Sequence, residues 1–201
     1  MELKNNPLAP LAAEYDIILA SGSPRRRELL SMLDLPFTVD TSHSIDEKYP
    51  AELDVHEIPS YLSLLKASAL NLIPGDKRLV VTADTVVILD DDVLGKPKDD
   101  ADACEMLRRM AGKIQKVVTG VTVATVKRSI TFSELTTVEF APLTDDEITY
   151  YVDRYHPLDK AGAYGIQEWI GAAAIRRIDG SFYNVMGLPI HRLYTELKKF
   201  I

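Results

Sequence analysis

One carboxylate interrupting an apolar run is the strongest chemical signal in this 201-residue chain. Val80 to Ile88 has the composition of a buried strand, broken by Asp84. Aspartate is disfavoured in strands and costly to bury unpaired, so Asp84 needs a cation, a metal or backbone donors beside it. A catalytic or metal-binding carboxylate meets that need, and so does an aspartate that caps a bulge or a strand end. Lys96 follows twelve residues later across a predicted hairpin, close enough for both side chains to meet at one mouth. Lys66 stands between Leu62 and Leu70 at i±4 spacing, where a lysine either snorkels to water or carries charge into a cleft. Glu47 lies in a polar loop, the usual setting of a solvated acid.

A second constellation suits an anion. Ile17-Ile18-Leu19-Ala20 runs directly into Ser21-Gly22-Ser23-Pro24-Arg25-Arg26-Arg27. Gly22 lets a ligand approach the backbone, Ser23 is a favoured N-cap and Pro24 a favoured first helical residue. A helix beginning there offers free N–H groups and a partial positive charge beside paired guanidinium groups, which together suit a polyphosphate. The plainer alternative is a strand-to-helix turn whose arginines are solvated surface. Asp159 to Gln167 is dense in glycine and alanine, suggesting tightly packed backbone, and the Gln167 amide has the donor and acceptor needed to read the edge of a base. Asn184 to Pro189 is a further small-residue turn opening a helix.

Periodicity and turn residues predict the elements that position these groups. Strands are expected over 15–20, 37–40 and 79–89, with a short return at 93–94. Helices are expected over 24–33 and 55–72, and from a cap at Asp99 or Asp100 to Met110. A hairpin over 117–126 and 130–140 precedes a helix opened by the capping box Thr144 and Glu147. A strand over 172–178 and a terminal helix over 189–201 complete the order. Alternating helices and strands with added hairpins predict an α/β fold whose mixed sheet is flanked by helices.

Composition narrows the function classes. Nearly half of the residues are apolar, enough for a sizeable core, and the net charge of −7 argues against a general nucleic-acid binder. Cys104 is the only cysteine, which excludes an intrachain disulfide. The four histidines have no zinc spacing, and no Walker A loop, dinucleotide fingerprint or Ser-His-Asp order is present. Without an eighteen-residue apolar run or a signal-peptide pattern, the expectation is a cytoplasmic protein with neither membrane nor nucleic-acid partner. Residues 1–13 read as a loosely held N-terminal extension, and 14–201 as a single domain.

Five ordered blocks resemble the Maf family of nucleoside triphosphate pyrophosphatases, once known as septum-formation inhibitors. They are Leu19 to Arg26, Ala83-Asp84-Thr85-Val86-Val87, Leu94-Gly95-Lys96-Pro97, Asp159 to Gln167 and Asn184 to Pro189. The resemblance runs from Ile17 to the terminal helix. It implies a twisted mixed sheet in two lobes around a central cleft, as in inosine triphosphate pyrophosphatases. It also implies hydrolysis of a nucleoside triphosphate to the monophosphate and pyrophosphate with a divalent cation, Mg²⁺ or Mn²⁺. Carried over residue by residue, the family's catalytic groups fall on Asp84, Glu47, Lys66 and Lys96, with Asp84 and Glu47 as metal ligands. Its substrate-binding groups fall on Ser21, Ser23, Arg25, Arg26, Thr85 and Gln167.

Arg25, Thr85 and Gln167 occupy the family's specificity positions, and their combination resembles the branch acting on dTTP and UTP, with modified pyrimidine nucleotides as further substrates. The competing readings are a 7-methyl-GTP pyrophosphatase and a non-catalytic regulator of septum formation. A homodimer is implied by the resemblance alone. The sequence departs from the family pattern in the loop before Glu47 and at Gln115, where many members carry histidine.

Overall fold

Among the described residues, Leu8 and Leu11 are the first with a buried side chain, and they lie before the first strand. The computed structural model describes residues 5–43 and 45–201, so residues 1–4 of the expected extension and Ser44 of the polar loop fall outside it. Within the described part the extension is not loose. Helix α1 (Ala9–Glu14) carries Leu11 into the core, and the Asn6 amide donates to the Leu33 carbonyl at 2.9 Å. Burial of these two leucines offsets part of the entropy of ordering the segment, and its backbone and Asn6 hydrogen bonds add to that.

Strand β1 (Asp16–Leu19) buries Ile17 and Leu19 and leads into α2 (Pro24–Ser31). The two-residue strand β2 (Thr38–Val39) pairs parallel with β1. Helix α3 (Ile58–Ser68) is shorter than its periodicity suggests: the capping residue is Glu57 and the helix ends at Ser68, six residues before Pro74. Strand β3 (Arg78–Leu89) is buried along almost its whole length, the pattern of an interior strand covered on both faces. It pairs parallel with β1, from Asp16 opposite Arg78 to Leu19 opposite Val81. Asp90 and Asp91, both at positive φ, turn the chain into β4 (Asp92–Leu94), antiparallel to β3.

Helix α4 (Asp100–Met110) starts at Asp99, whose carboxylate accepts the Asp102 N–H, as the sequence predicts. Strands β5 (Ile114–Ala124) and β6 (Ser129–Phe140) follow, then α5 (Asp145–Tyr155) with the expected Thr144–Glu147 capping box complete. The run expected as a strand over 172–178 is divided. Trp169–Ala174 forms helix α6, and only Ile175–Asp179 forms strand β7, antiparallel to β6. Gly171 to Ala174 is an alanine-rich turn, whereas Ile175 and Ile178 are β-branched, so local preference changes at residue 175. Helices α7 (Phe182–Met186) and α8 (Ile190–Leu197) end the chain, α8 tightening into a 3-10 turn over Lys198–Phe200.

The seven strands form one mixed sheet, ordered β2-β1-β3-β5-β6-β7 with β4 on β3, and helices flank it. The chain divides into two compact units. The first holds residues up to Asp84, Thr119–Glu134 and Gly187–Ile201; the second holds Thr85–Val118 and Leu135–Met186. Strands β3, β5 and β6 contribute residues to both. In the first unit Leu19, Leu29, Leu30, Leu79 and Leu197 are completely buried. In the second, Leu107, Met110, Tyr151 and Ile170 are completely buried, and α4 is tied to α5 by an Arg108–Asp145 ion pair of 2.6 Å. Among the described residues, no helix is long and apolar enough to cross a membrane.

Candidate active site

Within the first unit, Asp84, Lys66, Glu47 and Arg26 meet where the parallel pairing of β1 with β3 ends. After Leu19 the chain leaves β1 through Ser21-Gly22-Ser23, while β3 continues from Val81 through Thr82 and Ala83 to Asp84. Residues alternate across a strand, so Thr82 and Asp84 share one face of β3. On α3, Ser63 and Lys66 share a face at i, i+3 spacing. Each strand residue meets its helical counterpart. Thr82 Oγ1 donates to the Ser63 carbonyl at 2.7 Å, and Lys66 Nζ donates to Asp84 Oδ1 at 2.6 Å.

Lys66 holds a second carboxylate, with Glu47 Oε1 2.9 Å from the same ammonium. The three side chains differ in exposure: Asp84 is 12% exposed, Lys66 18% and Glu47 57%. Two inner groups are thus withdrawn from water and one reaches it. The sequence expectation that Asp84 requires a partner is met by a lysine one turn beyond the middle of α3.

Helix α3 is held at this depth by contacts that sequence reasoning missed. Ser63 Oγ is 2.9 Å from the buried Thr122 Oγ1, which lies 2.9 Å from Thr131 Oγ1, a hydroxyl relay running from α3 to the exposed Thr131 in the first unit. At Gly120 of β5, a Cβ would lie 2.2 Å from the Pro59 carbonyl carbon and the Ser60 nitrogen. The helix start rests directly on strand backbone, and only glycine leaves room for it. A glycine inside a β-branched strand was the available signal, since it marks close backbone approach.

The serine-rich turn forms the other wall. Ser23 Oγ accepts the Arg26 N–H at 3.4 Å as the α2 N-cap, with Pro24 in the first turn. Ser21 Oγ accepts from the Ser23 N–H at 3.3 Å and from Arg26 Nη1 at 3.4 Å. Arg26 Nη1 also donates to the Ala83 carbonyl, and its Nε to the Gly187 carbonyl, both at 2.8 Å. Arg26 therefore braces α2 against β3 beside Asp84, and the turn at Gly187 acts as its second anchor. Loss of hydration lowers the Arg26 pKa from its usual value; Asp84 opposes that shift, Arg25 adds to it and Glu47 opposes it. Arg25 is half-exposed in the first turn of the same helix.

Asp84 and Glu47 offer carboxylate oxygens, the donors that Mg²⁺ and Mn²⁺ prefer. Mg²⁺ commonly takes one or two protein carboxylates and completes its shell with water and substrate phosphates. The donor set fits that pattern. Among the described residues, no group of three or more His, Cys, Asp or Glu gathers into a closed cation cage.

Thr85, Lys96 and Gln167 belong to the second unit. Thr85 follows Asp84 on β3 and is half-buried. Lys96 is exposed in the turn after β4 and makes no ion pair among the described residues. Gln167 is exposed at the end of the small-residue loop. The Gly162 N–H donates to the Gly95 carbonyl at 3.0 Å, so the Gln167 loop is bonded to the turn that bears Lys96. Trp169, two residues on, meets Tyr150 edge to face at 5.1 Å between ring centres.

A family model described as Maf-like protein matches residues 16–200. The chain belongs to the Maf family. Curated Maf relatives include a dTTP/UTP pyrophosphatase from Bacteroides thetaiotaomicron, 53% identical over 92% of this chain and 96% of its own length. Another dTTP/UTP pyrophosphatase, from Porphyromonas gingivalis, is 52% identical over 93% of this chain and 95% of its own. A solved nucleoside-triphosphatase / dITP/XTP pyrophosphatase from Mycobacterium abscessus aligns at TM-score 0.40 and 15% identity, over 64% of this chain and 75% of that one, a likeness too distant to build upon.

Proposed function

We propose that this protein hydrolyses dTTP and UTP to the corresponding monophosphate and pyrophosphate. The observation that carries this reading is the convergence of Asp84 and Glu47 on Lys66, beside an Arg26 bonded to the Ala83 carbonyl. It is supported by relatives of that name at about half identity over nearly the full chain.

The chemistry follows from charge. A triphosphate is highly anionic, and phosphoryl transfer is catalysed mainly by positioning and by stabilising charge. Asp84 accepts a proton from a water whose oxygen attacks the α-phosphorus. The bond from that phosphorus to the α–β bridging oxygen breaks, and pyrophosphate leaves with the bonding electrons. Lys66 is paired with carboxylates before substrate arrives. Phosphate oxygens compete for its ammonium, releasing Asp84 to act as base.

Arg25 and Arg26 bind the phosphates together with Ser21, Ser23 and the α2 N-terminus. Lys96 stabilises the departing pyrophosphate. Arg25, Thr85 and Gln167 select the base. Mg²⁺ or Mn²⁺ held by Asp84 and Glu47 would supply positive charge and a more acidic bound water. The enzyme works in the cytoplasm as a homodimer, with nucleotide as its partner rather than nucleic acid or membrane.

Pyrophosphate release by the purified protein across dTTP, UTP, dCTP, GTP and 7-methyl-GTP, with and without Mg²⁺, tests this reading. Fastest turnover of dTTP and UTP is expected, with a loss of about a hundredfold or more on chelation. Preference for 7-methyl-GTP, or no hydrolysis of any nucleotide, overturns it.

A further inference from the structure

The small-residue loop before α6 is tied inward through Lys160, Gly162, Gly165 and Glu168, while Gln167 faces out. We propose that Glu168, held between Tyr151 and Lys160, is a positioning residue for base selection that fixes the backbone from which the Gln167 amide reaches the base. The inference rests on the reading of Gln167 as a base-recognition residue and adds the machinery that sets it.

Tyr151 of α5 has no exposed surface. Its hydroxyl donates to Glu168 Oε2 and accepts the Gly165 N–H at 3.0 Å. The other Glu168 oxygen lies 3.2 Å from Lys160 Nζ, and that ammonium also donates to Asp159 Oδ1 at 2.8 Å. Lys160 is only 7% exposed, unusual for a lysine and tolerable because two carboxylates flank it. One carboxylate thus ties the start of the loop, at 160, to its end, at 168, and to the adjoining helix.

The backbone is equally committed. Glu168 donates to the Gly165 carbonyl and accepts from the Gly171 N–H, both at 3.0 Å. A Cβ on Gly165 would lie 2.7 Å from the Glu168 carboxyl carbon, so the acid lies flat on the glycine backbone. Gly162 sits at φ +67°, with its N–H on Gly95 and Val87 where a Cβ would project. Burial and the Glu168 hydrogen bond both raise the Tyr151 phenol above its ordinary pKa, so it remains a donor at neutral pH.

Gln167 is different. Its side chain is exposed, with no hydrogen bond to another described residue. An amide discriminates bases only if its oxygen and nitrogen are presented in a set order and direction. Its backbone sits between Ile166, which is buried, and Glu168, which is clamped. With its origin fixed, the Gln167 amide can be presented from one direction only, and less ordering is left to be done when a base binds.

The test is a thermodynamic cycle read as base preference, the ratio of kcat/KM for dTTP to that for dCTP. Tyr151→Phe should lower this ratio about tenfold, mainly through the KM for dTTP, with kcat little changed. Gln167→Ala should lower it at least as far. Adding Tyr151→Phe to Gln167→Ala should change the ratio by less than about twofold, because the positioned group is already gone.

Glu168→Gln keeps the side-chain volume and an acceptor for Tyr151 while removing the charge facing Lys160. It should lower the ratio about threefold, and it carries the test if Tyr151→Phe fails to fold. An unchanged ratio in a folded Tyr151→Phe or Glu168→Gln protein overturns the positioning role. So does a double variant whose effects multiply. An unchanged ratio in Gln167→Ala instead overturns the base-recognition reading beneath it.

Discussion

Lys66 and Lys160 are both withdrawn from water and both lie between two carboxylates, yet the surroundings of the two lysines differ. Around Lys66, Glu47 remains largely exposed. Around Lys160, Asp159 is just as exposed, but the second acid, Glu168, is itself bonded to a buried tyrosine, and that tyrosine to a glycine N–H. The first network can exchange partners when a polyphosphate arrives; the second cannot without losing several hydrogen bonds at once. In a low-dielectric interior an unsatisfied polar group is expensive, so a carboxylate backed by buried partners is rigid and one without them is available for chemistry. Burial of a lysine alone does not distinguish the two roles. The identity of the atoms behind its partners does.

The largest effect that would break this contrast is expected at Asp84. Asp84→Asn keeps an acceptor for Lys66 but removes the base, so kcat for dTTP should fall about a thousandfold. Stability should change by less than about 1 kcal/mol, because Glu47 still pairs with Lys66. Steady-state kinetics and thermal unfolding on one preparation check both halves. Retained turnover removes Asp84 from the reaction, and a collapse in stability would mean its network is closed after all.

Next in size is Gly120→Ala. The added Cβ meets backbone atoms of Pro59 and Ser60, which cannot swing aside. A cost of about 1–3 kcal/mol is expected in denaturant unfolding. The displaced α3 should carry Lys66 with it and lower kcat about tenfold. A stability loss with unchanged kcat would show that Lys66 tolerates movement of its helix.

Much of this arrangement was legible in the sequence. Asp84 announced itself because a carboxylate in a doubly buried strand must have a partner, and the order of strands and helices followed from periodicity. Ser23-Pro24 marked a helix start, and Thr144 with Glu147 another, because caps are local chemistry. Gly120, Thr82, Ser63 and Thr122 escaped notice because each is ordinary in its own element and acquires meaning only through a residue far away in the chain. Tyr151 escaped for the same reason: on α5 it is one more aromatic among Tyr150 and Tyr155. Helix α1 was hidden by Pro7 before it and Pro10 within it, which signal loose chain unless Leu8 and Leu11 are seen to be buried.

The closed network offers the converse of the Asp84 experiment. Tyr151→Phe leaves a Glu168 oxygen and the Gly165 N–H without their partner. Unfolding free energy should fall by about 2 kcal/mol, lowering Tm by roughly 4–8 °C in a chain of this size. Turnover of dTTP at saturation should stay within about threefold of the parent, since no atom of the reaction is removed. A fall in kcat comparable to that of Asp84→Asn would erase the distinction between the networks.

The smallest effect is expected at Glu196 of α8, and it sharpens the comparison because it is a closed network in the same unit as Asp84. Its side chain is 3% exposed and takes Lys199 at 2.6 Å and Arg192 at 3.0 Å. The Lys199 hydrogen bond lowers its pKa below the ordinary 4.5, burial opposes this, and the Arg192 hydrogen bond adds to it. A carboxylate with a depressed folded pKa contributes stability above its unfolded value and loses it as pH falls through the folded one. Glu196→Gln should therefore lower Tm at pH 7, and the difference from the parent should shrink as pH drops below about 4.5. A gap that persisted in acid would trace the effect to packing rather than charge, and closure by ion pairs would then not explain why this carboxylate remains buried.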